Sequence, residues 1–239
     1  SLAGTSKHVM VQASHWSHVS AIAELCYKLA GGEESFRKRP FLSLHVNHAV
    51  PPLRFDPASI KVMIEAVKLG IPVHCNVFGQ LGASSPVTIA GSVSQTLAEN
   101  LAGLVAVHIL DPEAASIAGP RPMITELRTG GMARGAPEQL MATAAAVQVM
   151  QYWEIPCSVI AGATDSKLID FQSGYEKALT INSATQTGAN LITQAAGSQA
   201  SLMAVNYGAM VADNELIGVL FRSNIIPEIS DETLMHESI

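Results

Sequence analysis

The sequence predicts an α/β fold of repeated parallel strand–helix units, and three observations carry that expectation. Short apolar runs of strand length alternate with amphipathic stretches of helix length, and the alternation repeats six times. The links between them are short, as right-handed βα crossovers require. At 239 residues, with 48% hydrophobic and 14% charged side chains, the chain is long enough to bury a core of this kind.

The elements follow in order. The first strand is predicted from His8 to Ser14, and its helix from about Ser17 to Leu29. Phe41 to Asn47 reads as the second strand, then Asp56 to Leu69 as a helix with Asp56 as N-cap and Gly70 as the stop after its C-terminus. Pro72 to Phe78 is the third strand, and a long helix from near Pro86 reaches Leu110. Ala115 to Gly119 is a short fourth strand, followed by a helix from Pro137 to Trp153 with proline in its first turn. Pro156 to Ala161 and Ala189 to Ala195 are two more strands, with helices at Phe171 to Gln186 and Tyr207 to Phe221. Residues 1–223 therefore form the folded domain, and 224–239 an acidic tail holding Glu228, Asp231, Glu232 and Glu237 with no Lys or Arg.

Strand parity locates the chemistry. Leu42, Leu44 and Val46 share one face of the second strand, while Ser43, His45 and Asn47 share the other. On the third, Val73, Cys75 and Val77 oppose His74, Asn76 and Phe78. A parallel strand covered on both faces is apolar throughout. Polar residues towards the C-terminal ends of two successive strands point instead to a barrel mouth, where barrel enzymes place their active sites. Hydrogen bonding within the barrel is the plainer reading of the same residues. A closed barrel needs eight units and six are counted, so a complete six-unit doubly wound sheet is the competing fold.

Composition excludes several functions. The net charge of −6 comes with no basic stripe, which argues against nucleic acid. Mean hydropathy is +0.27, yet the apolar runs are short and interrupted. The longest helix carries Thr88, Ser92, Ser94, Gln95, Glu99, Asn100 and His108, which marks a buried core helix rather than a membrane span. No signal-peptide pattern opens the sequence. Cys26, Cys75 and Cys157 lie far apart in apolar runs, as expected of reduced thiols in a cytoplasmic protein. For Cys75 a buried structural role is favoured over that of a thiol nucleophile.

His45, Val46, Asn47 and His48, with His74 on the next strand, raise the possibility of a metal site. His45 and His48 have opposite parity, and no Asp or Glu stands beside them, so substrate contact or hydrogen bonding is preferred and no metal is assigned. His15 and His18, flanking Trp16, suit a loop or helix start. The loop Gly82-Ala83-Ser84-Ser85-Pro86-Val87-Thr88-Ile89-Ala90-Gly91 runs into a helix whose free N–H groups suit an anionic group. It lacks nucleotide-binding spacing. Ordinary loop geometry explains it equally well.

That loop is followed by Thr164-Asp165-Ser166-Lys167 and then by Asp170-Phe171-Gln172-Ser173-Gly174-Tyr175-Glu176-Lys177. Together, in this order, these segments resemble the trimethylamine methyltransferase family. Leu127-Arg128-Thr129-Gly130 matches a family segment that usually reads Asp-x-Arg-Thr-Gly, with Glu126 at the Asp position. Ala195-Ala196-Gly197 and Val211 to Glu215 match more loosely, and Asn206-Tyr207-Gly208-Ala209 departs from the usual Ser-Tyr-Glu. The resemblance covers nearly the whole chain and is strongest from Pro72 to Asp213.

The resemblance implies a (β/α)₈ TIM-type barrel, of which this chain spans about six units as the C-terminal three quarters. Missing strands leave open edges, so the piece is expected to be marginal or to associate. It also implies methyl transfer from a quaternary or tertiary methylated amine to the cobalt(I) of a corrinoid protein. The cofactor arrives on that partner, with no S-adenosylmethionine and no nucleotide. Trimethylamine-specific members carry pyrrolysine, whereas every position here is a standard residue, which favours betaines. For the substrate cation the candidates are Phe78, Tyr207 and Asp165. For its carboxylate they are His45, His48, His74, Arg128 and Lys167, with Asn47, Asn76 and Gln194 completing either half. Asp165 and Lys167 are the most distinctive charged pair of the resemblance, able to hold each other while one Asp165 oxygen faces the substrate cation. A symmetric homo-oligomer is the expected assembly. A metal-dependent barrel hydrolase and a betaine-binding homologue without turnover are the alternatives.

Overall fold

The computed structural model describes residues 2–236. Six parallel strands run through it. β1 (Val9–Val11), β2 (Leu42–Val46), β3 (Val73–Val77) and β4 (Ser116–Pro120) form one sheet in that order. β5 (Ser158–Ile160) and β6 (Leu191–Thr193) form a parallel pair. A parallel bridge between Ala118 and Cys157 joins the two, with Ala118 N–H donating to the Pro156 carbonyl at 3.0 Å. Neighbours thus follow chain order without the reversal a doubly wound sheet contains. Among the described residues β1 and β6 do not pair, so the sheet is open.

Eight α-helices are present among the described residues: α1 (Val19–Ala30), α2 (Glu33–Lys38), α3 (Pro57–Lys68), α4 (Ile89–Leu110), α5 (Pro137–Tyr152), α6 (Phe171–Gln186), α7 (Tyr207–Ser223) and α8 (Asp231–Leu234). Several of their starts are set by side-chain caps, whereas α1, α2 and α5 have none. Asp56 accepts from Ser59 N–H at 2.8 Å, Asp170 from Ser173 N–H at 2.9 Å and Asn206 from Ala209 N–H at 3.1 Å. His15 caps the 3₁₀ turn Trp16–His18 ahead of α1. The start of α4 differs from the expectation. It begins at Ile89 rather than near Pro86, because Thr88 is the N-cap and its hydroxyl takes the Gly91 N–H at 3.3 Å. One of the N–H groups expected to be free for an anion is therefore already satisfied.

Two helices were not foreseen. α2 is held by Phe36, fully buried against the edges of the Tyr27 and Phe41 rings. α8 lies inside the stretch read as a solvated tail, where Ser230 and Thr233 form a capping box. Glu237, counted with that tail, lies outside the described residues. Two-residue antiparallel hairpins, Ala49–Val50 with Arg54–Phe55, Thr125–Glu126 with Gly131–Met132, and Ser198–Gln199 with Ala204–Val205, follow β2, β4 and β6. All three decorate the C-terminal ends of the strands.

The helices cover one face of the sheet. Leu42, Leu44, Val46, Val73 and Cys75 pack with Val19, Cys26, Phe36, Met63 and Val107. Ala118, Cys157, Val159 and Ala161 pack with Val93, Leu97, Ala142, Ala146, Met150 and Ile181. The expected alternation is therefore present, with aliphatic residues against helices and Ser43, His45, His74 and Asn76 on the other face. All three cysteines are free and buried, and burial pushes the Cys75 thiol up to about 12, so it is not a thiolate at neutral pH. α4 is long and apolar enough by composition to cross a membrane. It nevertheless buries Glu99, Asn100, Ser92 and Thr96 within the protein.

Candidate functional site

The register of β2 against β3 sets His45 directly beside His74, and their rings meet edge to face at 6.0 Å. Around this pair the inner face of the sheet is polar and largely hydrogen-bonded. His45 Nε2 and Asn47 Oδ1 share a bond of 2.8 Å. His74 Nδ1 contacts Met10 Sδ at 2.7 Å, and its Nε2 bonds Ser158 Oγ on β5. His8 Nε2 bonds Ser43 Oγ at 2.9 Å. Asn76 donates to the His74 carbonyl at 2.9 Å, while its buried Oδ1 has no partner among the described residues.

Arg121 enters the same cluster from the end of β4. Val77 and Pro120 are register partners, so the next residues, Phe78 and Arg121, emerge side by side. The guanidinium lies 5.2 Å from the Phe78 ring centroid and is 2% exposed. One face of Phe78, expected to meet a substrate cation, is thus occupied by the protein's own cation. Burial pushes the His45 imidazole down to about 4, with the Arg121 charge assisting. Burial, then Arg121, then His45 and His8 take His74 to about 3. Both rings are neutral at pH 7. Burial and the charge of Arg134 lower Arg121 only to about 9, so it stays cationic there.

A second cluster ties the loops after β4, β5 and β6 together. Asp165 Oδ1 accepts from Arg134 N–H at 2.7 Å and from Ser201 Oγ at 2.5 Å, and Oδ2 accepts from Gly135 N–H at 3.0 Å. Glu176 accepts from Thr164 Oγ1 at 2.5 Å, Asp165 N–H at 2.8 Å and Gln172 Nε2 at 2.8 Å. A Cβ at position 135 would lie 2.1 Å from the Glu176 carboxyl carbon, so any larger residue there displaces that carboxylate from its donors. Asp165 is therefore a loop organiser with both oxygens engaged. Lys167 is exposed and makes no ion pair with it, which corrects the expectation that the two hold each other.

Other candidates stand apart from the inner-face cluster. His48 is buried on the helix side of the sheet, where its Nε2 bonds the Glu99 carbonyl at 2.9 Å and Gly103 leaves room for the ring. Its opposite parity to His45 is the reason. Arg128 is exposed at a hairpin turn, where its Nε donates to Glu126 at 3.3 Å. Tyr207 is 83% exposed at the first turn of α7. Gln194 is exposed after β6, accepting the Thr193 hydroxyl at 2.7 Å. Among the described residues no group of three His, Cys, Asp or Glu side chains is placed to hold a metal.

Several residues were missed. Arg121 sits two residues past the expected end of the fourth strand, and an arginine directly after Gly119-Pro120 was a usable signal. Ser158 opens β5 on the inner face, by the same parity argument used for β2 and β3. Lys177 and Asp213, buried and 2.5 Å apart, join α6 to α7. No local pattern marks a pair 36 residues apart.

The trimethylamine methyltransferase (MTTB) family model matches residues 1–239. A trimethylamine methyltransferase MttB of Desulfitobacterium hafniense (strain DSM 10664 / DCB-2) is 30% identical over 230 residues, covering 96% of this chain and 46% of that protein. A glycine betaine methyltransferase of Desulfitobacterium hafniense (strain Y51) is 27% identical over 220 residues, covering 92% and 46%. A trimethylamine methyltransferase MttB of Methanosarcina thermophila is 30% identical over 233 residues, covering 94% and 48%. The chain spans about half the length of these curated relatives. On the match that runs through all of its residues, the chain belongs to the trimethylamine methyltransferase family.

Proposed function

We propose that this chain forms the amine-binding part of a methyltransferase that passes a methyl group from a betaine-like methylated amine to a corrinoid protein. Its open sheet is read as part of a (β/α)₈ barrel, with residues 1–223 as the barrel portion and 224–239 as an acidic appendage. The family match across the full chain is the observation that carries the reading. The strictly sequential strand order and the polar inner face support it.

The cobalt(I) of a corrinoid carried on a separate protein supplies the nucleophile in such chemistry. What this chain's residues do is bind, orient and exclude water. Cys75 faces the helices as a thiol, and Asp165 is engaged on both oxygens. His74 has both ring nitrogens occupied. The inner face therefore offers a substrate hydrogen-bonded imidazoles and amides, and neither Cys75 nor Asp165 stands free to compete for the methyl group. His45, Asn47, His74, Asn76 and Phe78 are the proposed contacts. Arg128, Lys167, Gln194 and Tyr207, on exposed loops and helix ends, are assigned only to a surface that a partner covers. His48 is assigned to support of the sheet. The buried free thiols support a reducing, cytoplasmic compartment. Apolar side chains left exposed along α7 and after it, including Val211, Phe221 and Ile226, support association with further polypeptide, as a homo-oligomer requires.

Methylation of reduced cobalamin by the full-length parent, followed by visible absorbance, tests the reading. Glycine betaine is expected to yield methylcobalamin and trimethylamine is not. Methylation from trimethylamine overturns the substrate assignment. Tight betaine binding without transfer, even with a matched corrinoid protein, replaces the enzyme by a binding-only homologue.

A further inference from the structure

Most buried charged groups in this protein have named partners, and Arg121 has the fewest. Glu99 Oε1 accepts from Leu53 N–H at 2.6 Å and from Gln95 Nε2 at 3.2 Å, while its Oε2 has no partner among the described residues. Lys177 is paired with Asp213. Glu176 accepts three hydrogen bonds. Arg134 donates to the Ile160 carbonyl at 3.2 Å and leaves one nitrogen over. Arg121 has only a long contact of 3.5 Å to Ser158 Oγ and the face of Phe78. Its Nε and Nη1 are buried with no partner among the described residues.

A guanidinium carries five N–H donors and no acceptor, so it satisfies itself only on oxygens or ring faces. A buried charge without a counter-charge is among the costliest features a fold can hold. Here the neighbouring charge makes matters worse. Arg134 is also positive, and the adjacent His45 and His74 rings are held neutral. No Asp or Glu of the described residues pairs with Arg121, since the ion pairs present all lie elsewhere. What the site lacks is one negative charge with oxygen acceptors. Its place at the C-terminal end of β4, beside Phe78 and two strands from Asn47, puts the unpartnered guanidinium within the proposed substrate site.

We propose that Arg121, with Ser158 beside it, is a carboxylate-binding site, and that the methylated amine is a zwitterion whose carboxylate docks there. This rests on the methyl-transfer reading and names its substrate class. A simple cation such as trimethylammonium meets repulsion from Arg121 at this position. A betaine turns its carboxylate to the guanidinium and its ammonium away, towards His45, Asn47 and Asn76. The same chemistry has a second source, an Asp or Glu side chain from polypeptide outside this chain, and the test separates the two.

The test uses the full-length parent, Arg121→Gln and Arg121→Lys. Initial rates of cobalamin methylation are measured with glycine betaine and with choline, which has the same quaternary head but a hydroxyl in place of the carboxylate. Arg121→Gln is expected to raise KM for betaine about tenfold to a hundredfold, the scale of a lost charge-assisted hydrogen bond. The loss for betaine exceeds that for choline by at least tenfold, and Arg121→Lys restores part of it. Equal losses on both substrates, or an unchanged KM for betaine, overturn the proposal. If the parent methylates cobalamin from neither substrate, the methyl-transfer reading fails, and betaine- and acetate-dependent Tm decides the site by itself. A Tm that rises with betaine and acetate in the parent, and not in Arg121→Gln, upholds the carboxylate site without the reaction. An Arg121→Gln protein of lowered Tm, from a parent that neither betaine nor acetate stabilises, assigns the counter-charge to the polypeptide and overturns it.

Discussion

Lys177→Met is expected to destabilise the protein by about 3–5 kcal/mol, the scale of breaking one half of a buried ion pair. Lys177 Nζ stands 2.5 Å from Asp213 Oδ2, with side-chain exposures of 1% and 7%. The same oxygen accepts from Gly197 N–H at 2.7 Å. The pair thus clasps α6, α7 and the loop after β6. With the lysine gone, Asp213 remains buried with that single donor and no counter-charge. Replacing both residues, as Lys177→Met with Asp213→Leu, removes the desolvated charge as well. The double variant is expected to recover most of the loss, since well-packed apolar pairs replace buried ion pairs at little cost. Urea unfolding of the two single variants and the double variant checks this. Additive single losses would show that the pair carries no coupling.

Acidification is the second large effect. His45 and His74 stay neutral in the fold down to about 4 and about 3, whereas an imidazole in the unfolded chain takes up a proton near pH 6.5. Between these values the unfolded state binds more protons, so stability falls as pH falls through the window from about 6.5 to about 4. The loss at pH 5 is on the order of 2 kcal/mol per histidine. Groups facing the pair give it no relief: Arg121 is cationic, Met10 and Ser158 are uncharged, and Asn47 bonds only His45. The Asp56 and Glu126 carboxyls are held below their ordinary values by hydrogen bonds from Ser59 and from the Arg128 backbone. Replacing His45 with glutamine is expected to flatten the decline between pH 6.5 and 4. An unchanged slope would show that His45 takes up its proton in the native state.

The six strands and their two faces were legible because period-two alternation survives in Leu42 to Asn47 and Val73 to Phe78 whatever the sheet packs against. Repeated strand–helix order was legible for the same reason. Two-residue hairpins were not, since two residues show no period. α2 was missed because its stability comes from one buried ring, Phe36, rather than from a repeating stripe. Among the site residues, His45 and His74 come together because parallel register makes them neighbours. Asp165 stood out in the sequence, but its work is to accept from backbone at Arg134 and Gly135 and from Ser201, contacts that only the folded loops create. The position of Arg121 after Gly119-Pro120 was legible in the sequence, but its lack of a counter-charge is a property of the fold.

The polar inner face of the sheet, and not the helix-covered face, is the proposed binding surface for the methylated amine. His45 and His48 are three residues apart on opposite faces, which makes them matched probes. The decisive measurement is KM for glycine betaine in the cobalamin methylation assay, made on full-length His45→Gln and His48→Gln. A rise of about tenfold or more is expected for His45→Gln, the scale of one lost hydrogen bond in a desolvated site. For His48→Gln the expected result is lowered stability with KM unmoved. A raised KM in His48→Gln with none in His45→Gln would put the substrate on the other side of the sheet and contradict the proposal.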